Sequence, residues 1–158
     1  LTIVDGYFLL KTVHIISATV LFGTGLGIAF FFLAGMRSGD DRMALFAART
    51  TCLADMIFTL NAGIVQPVSG YALIRVAGHD PFAPWLLAAY GLYLLALACW
   101  LPVVWLQLRM RDMLAAKVAG LAFDEVLFRH RFRLWFALGW PAFAALVAVF
   151  WLMVTRSL

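Results

Sequence analysis

The sequence predicts an all-α integral membrane protein, a four-helix bundle with both termini on the non-cytoplasmic side, and three observations carry that expectation. Of 158 residues, 65% are hydrophobic and 13% are charged, against roughly 25% charged residues in soluble domains. Four stretches contain no Asp, Glu, Lys or Arg: residues 12–36 (25 residues), 56–74 (19), 81–108 (28) and 134–155 (22). Each meets the length of about 20 apolar residues that a helix needs to cross a bilayer. Nine of the twelve Lys and Arg lie in or beside the two links that join crossings 1 to 2 and 3 to 4, leaving Lys11, Arg75 and Arg156 for the opposite side. The positive-inside rule then turns the basic links toward the cytoplasm.

The whole chain, 1–158, reads as one transmembrane domain with helices over about 7–36, 45–77, 84–112 and 134–156, because the links are too short for an extramembrane domain. The first crossing is expected to be retained. No basic region precedes it, it is longer than a signal core, and it ends in the polar turn Arg37-Ser38-Gly39-Asp40-Asp41. Its Gly23, Gly25 and Gly27 lack the strand that a dinucleotide loop requires, so Gly23-x-x-x-Gly27 is expected to admit a neighbouring helix backbone.

The second crossing is the most polar. At 100° per residue, Thr51, Asp55, Thr59, Gln66 and Ser69 fall in one band about 80° wide, which must face protein or water rather than lipid. Pro67 predicts a kink there. Asp55 is expected to pair with a cation of the basic links. Cys52 and Cys99 have no closely spaced partner and read as buried free thiols.

The third and fourth crossings supply aromatic belts: Trp85 and Trp151 near one interface, Trp105 and Trp135 near the other. Trp100 and Trp140 lie deeper, where packing is the simplest role and lining a flat prosthetic group is a second. Pro102 and Pro141 are tolerated within spanning helices. Residues 113–128 mix Leu114, Val118 and Leu121 with Lys117, Asp124 and Glu125, predicting a short linker helix on the inner surface. The net charge of +4 is met by anionic lipid headgroups, and no segment can form the soluble basic surface of a nucleic-acid module. The bilayer is therefore the first partner.

His14 stands inside the first uncharged stretch, about 10 Å from the interface if the helix enters near Tyr7. Polar groups at such depth are expensive and usually functional. Lys11 shares its face, and Gln66, Ser69, Tyr90 and Tyr93 come from the same half of the membrane. Two roles stay open for His14: an axial haem ligand with Lys11 paired to a propionate, or a hydrogen bond to Gln66 or a hydroxyl that joins two helices. His79 lies in a turn, and His130 lies among Arg129, Arg131 and Arg133 about a membrane thickness from His14, so neither completes a bis-histidine site within one chain.

Lys11-Thr12-Val13-His14-Ile15-Ile16 with Leu21-Phe22-Gly23-Thr24-Gly25-Leu26-Gly27 resembles the first helix of the superfamily containing CopD copper-resistance proteins and HemJ-type protoporphyrinogen oxidases. The stretches Gln66-Pro67-Val68-Ser69-Gly70-Tyr71, Trp100-Leu101-Pro102-Val103-Val104-Trp105 and Trp135-Phe136-Ala137-Leu138-Gly139-Trp140-Pro141 look closest to a branch of predicted integral membrane proteins of unknown function. The HemJ resemblance implies b-type haem on His14, with iron as the metal, Lys11 and Gln66 as cofactor-binding neighbours, and electron transfer with a quinone or porphyrin. Where HemJ-type enzymes carry a lysine early in the third crossing, this chain reads Trp85-Leu86-Leu87-Ala88-Ala89-Tyr90, which argues against the same porphyrinogen chemistry. The CopD resemblance implies copper handling, for which several soft ligands would have to converge. A non-enzymatic membrane subunit or scaffold is the alternative of another class. Self-association or a partner membrane subunit, and residence in a bacterial inner (plasma) membrane, complete the expectations.

Overall fold

A computed structural model describes residues 3–156. These form α1 (Ile3–Arg37), α2 (Asp41–Ala54), a π turn (Asp55–Thr59), α3 (Leu60–Ala77), α4 (Pro84–Val118) and α5 (Glu125–Thr155), with no strand among the described residues. Because α2, the π turn and α3 run on without a break, four helices are long and apolar enough to cross a membrane. The chain is an integral membrane protein built as an all-helical bundle.

The helix boundaries follow from local chemistry. Gly39 takes φ +74°, and the Asp40 carboxylate then caps α2 by accepting from the Arg42 and Met43 amides at 2.7 and 3.3 Å. Gly78, at φ +68°, closes α3 with its amide on the Ile74 carbonyl, and Pro84 opens α4 at its first turn. Asp124 caps α5 by accepting from the Leu127 amide at 2.9 Å.

One expectation about these elements is corrected. The separate linker helix over 113–128 does not form: α4 runs on to Val118, Gly120 at φ +75° ends it, and α5 begins at Glu125. Lys117 holds that extended end to α2 through a 2.7 Å ion pair with Asp41. The second crossing also carries a π turn at Asp55–Thr59, which the sequence does not predict, while Pro67 lies within α3. In the π turn the Leu60 amide reaches the Asp55 carbonyl, five residues back.

The bundle is packed unequally along its length. At the end carrying the basic links, Phe32, Leu45, Ala48, Leu106, Met110, Leu114 and Trp135 form one buried core. There α1 and α2 cross so closely that a side chain at Gly35 would collide with the Ala47 Cβ. Toward the end carrying the termini, α1 pairs with α3 and α4 pairs with α5, while α3 scarcely approaches α4 or α5. The pairs are spanned by the Tyr93 hydroxyl, which donates to the Gly63 carbonyl, and by Phe22 stacked on Phe143 at 4.9 Å.

Candidate functional site

The polar band of the second crossing faces the interior: Thr51, Asp55, Thr59 and Ser69 are all buried and Gln66 half-buried. It divides between two neighbours. Gln66 and Ser69, in α3, turn to α1 and meet His14, whereas Asp55, at the π turn, meets Trp100 of α4.

Around His14 every polar atom of the group finds a partner. Its Nδ1 lies 2.8 Å from Ser69 Oγ and its Nε2 lies 3.1 Å from Gln66 Nε2. One proton arrangement satisfies both contacts: the Gln66 amide donates to Nε2, Nδ1–H donates to Ser69, and the Ser69 hydroxyl donates to the Val65 carbonyl at 2.6 Å. The Ser17 hydroxyl donates to Gln66 Oε1, closing the group from α1. Gly70 permits the approach, since a Cβ there would lie 3.1 Å from His14 Cε1. Lys11 does not join the group; it is exposed, with its ammonium 5.8 Å from the centre of the Tyr7 ring.

These contacts test the donor set for haem. Neither ring nitrogen of His14 is free, and iron at Nε2 would have to displace the Gln66 amide. His79 packs edge-on against Trp85, 5.9 Å between ring centres, and His130 is exposed at the opposite end. Among the described residues no three of His, Cys, Asp and Glu converge as a metal site. Cys52 and Cys99 are buried free thiols, as expected.

A second polar group lies deeper, at the end of a cavity of about 600 Å³ between the separated helix pairs. Phe22, Ile64, Tyr93, Trp100, Trp140 and Phe143 are among its walls, and Asp55, Thr59, Gln107 and Trp135 are its polar lining near the packed core. Trp100 and Trp140, read from the sequence as deep aromatics, thus both border open space. Asp55 is 2% exposed, and its Oδ1 accepts from the Trp100 indole at 3.3 Å. Its other oxygen has no hydrogen-bond partner, and neither have Thr59 Oγ1, Gln107 Oε1 and Trp135 Nε1.

Two more expectations are corrected here. Asp55 forms no ion pair among the described residues; of the link cations, Lys117 pairs with Asp41, Arg129 with Glu125 and Arg111 with Asp112. Asp55 follows Asp41 by fourteen helical positions, a rise of about 21 Å, which takes the carboxylate out of reach of Lys117, and its Oδ1 accepts from the Trp100 indole instead. Gly23 and Gly27 admit no helix among the described residues, as a Cβ at either would meet nothing within 4 Å. The close approaches are made at Gly35 and Gly70 instead.

Reasoning from sequence missed Gln107 as a site residue and missed its grouping with Asp55. Its signal was a lone amide near the end of a long uncharged stretch, but the pairing of α4 with the π turn is a tertiary fact.

Spanning helices, a buried polar seam and a cavity between the helix pairs define an integral membrane protein. More particularly, the chain belongs to the family described as predicted integral membrane protein (DUF2269), which it matches over residues 8–157. No curated protein and no solved structure matches it.

Proposed function

We propose that this protein binds an amphiphilic small molecule inside the membrane, in the cavity between the α1–α3 and α4–α5 pairs. The observation that carries the reading is a drug-sized, aromatic-walled space of about 600 Å³ whose floor holds four buried polar atoms without partners. Binding sites are mostly apolar with a few converging polar groups, and buried polar atoms ordinarily have partners. A bound head group supplies them. The basic links support a cytoplasmic position for the packed end, and hence non-cytoplasmic termini.

The test is equilibrium binding of tritiated 2-(2-naphthyl)ethanol to the protein in nanodiscs, with empty nanodiscs as the blank. Saturable binding is expected, and Gly25→Phe should abolish it, because Gly25 borders the cavity and has room for a side chain. Binding that never saturates, or that survives the plug, sinks the reading.

A b-type haem on His14, serving electron transfer with a quinone or porphyrin, is the second reading. Ser69 favours it, because a metal-ligating histidine usually has its other ring nitrogen held by such a partner. Gln66 would have to leave Nε2, and Lys11 would be the cation for a propionate. A Soret band lost in His14→Ala and kept in His130→Ala supports it; colourless protein from haem-replete cells overturns it.

A further inference from the structure

The floor of the cavity has a definite hydrogen-bonding and charge character. Asp55 Oδ2, Thr59 Oγ1 and Gln107 Oε1 are three oxygens without partners, on side chains 2%, 6% and 1% exposed. The Asp55 carboxyl faces Thr59, Trp100 and Gln107. The Trp135 indole is an unpartnered donor beside them, and the Thr59 hydroxyl and the Gln107 amide nitrogen can donate as well as their oxygens accept; the Asp55 carboxylate alone is purely an acceptor. No Lys, Arg or His lines the cavity, and Asp55 is its one acidic residue. Above this floor stand the rings of Tyr93, Trp100, Trp140, Phe136 and Phe143.

Each class of head group can be matched against that inventory. A phosphate or carboxylate would add negative charge beside a buried carboxyl with no cation to meet it. An oxidised quinone offers only acceptors and would leave the Asp55 carboxylate without a donor or a counter-charge. A primary ammonium presents three donors and no acceptor, opposite to the floor in charge and complementary to its three oxygens, and the aromatic walls favour cations through their ring faces. We propose that the cavity selects amphiphilic primary amines, with the Asp55 carboxylate as counter-charge, Thr59 and Gln107 as the remaining acceptors, and the aromatic walls around the apolar body. The inference rests on reading the cavity as a ligand site. The ammonium could belong to a free amine or to an aminophospholipid, and the two share the recognition chemistry.

The experiment compares tritiated 2-(2-naphthyl)ethylamine with the isosteric alcohol, on wild-type protein in phosphatidylcholine nanodiscs against empty-disc blanks. Hydrogen bonds to charged groups are worth more than neutral ones, so the amine should bind roughly tenfold or more tighter. In Asp55→Asn that preference should fall to about unity while the alcohol still binds, and Gln107→Leu should reduce it in part. If nanodiscs containing phosphatidylethanolamine lower the apparent amine affinity beyond the change seen in their blanks, the source is the lipid; if they do not, it is a free amine. Equal affinity of wild type for amine and alcohol overturns the amine inference and leaves the ligand site standing. Binding of neither overturns both. The wild-type comparison stands even if a variant fails to fold, and an Asp55→Asn protein that keeps the full amine preference also overturns the assignment.

Discussion

The half of the bundle at the basic links and the half at the termini are built from the same four helices, yet they treat space in opposite ways. In the first, Phe32 and Met110 are wholly buried and Gly35 lets α1 settle onto Ala47. In the second, the helix pairs part, and Tyr93 and Phe22 reach across a cavity rather than fill it. Polar chemistry divides there too. The His14 group, on the α1–α3 seam, is satisfied, whereas Asp55, Thr59 and Gln107, where the two halves meet, keep atoms without partners. The difference teaches that close packing and open space are located separately in this fold: the closed half holds the helices together, and the open half supplies the space of the proposed binding site.

Paired substitutions at glycine test that division most strongly. Gly35→Leu should destabilise the protein by about 3 kcal/mol or more, since the new side chain must displace backbone, whereas Gly25→Leu should cost less than about 1 kcal/mol because open space surrounds it. Thermal unfolding in one detergent checks both, and equal losses would break the comparison. Ser69→Ala comes next, at about 1–3 kcal/mol, because it removes the Nδ1 partner of His14 inside the bundle. Thr59→Val should change stability by less than about 1 kcal/mol despite similar burial, as its hydroxyl has no bond to lose. A loss as large as that of Ser69→Ala would mean that Thr59 is bonded in the ligand-free protein. Glu125→Gln should have the smallest effect, about 0.5 kcal/mol or less, because its pair with Arg129 is exposed and screened by solvent.

The four crossings were legible in the sequence because lipid exposure demands long uncharged stretches, which need no knowledge of packing. The buried band was legible for a related reason: Thr51, Asp55, Thr59 and Ser69 lie inside because lipid cannot satisfy them. The hydrogen bond between His14 and Gln66 was one of two roles that depth and residue type left open. What the pattern could not reveal was direction. An ion pair for Asp55 is reasonable when only charge and distance along the chain are known, but it ignores which neighbour the carboxyl faces. The Gly23 and Gly27 spacing likewise permits a close helix without requiring one, and α5 passes too far away to use it.

The π turn at Asp55–Thr59 sets the phase of everything beyond it. Taking five residues where an α turn closes with four shifts the angular register of α3 against α2. One continuous row of polar residues can thereby address α4 at Asp55 and α1 at Gln66. Deleting a single residue from the turn would rephase α3 by about 100°. The imidazole would lose Gln66 and Ser69 together, although neither residue had been altered. This one surplus residue acts as a vernier between the two halves, setting the direction of one without changing any side chain of the other.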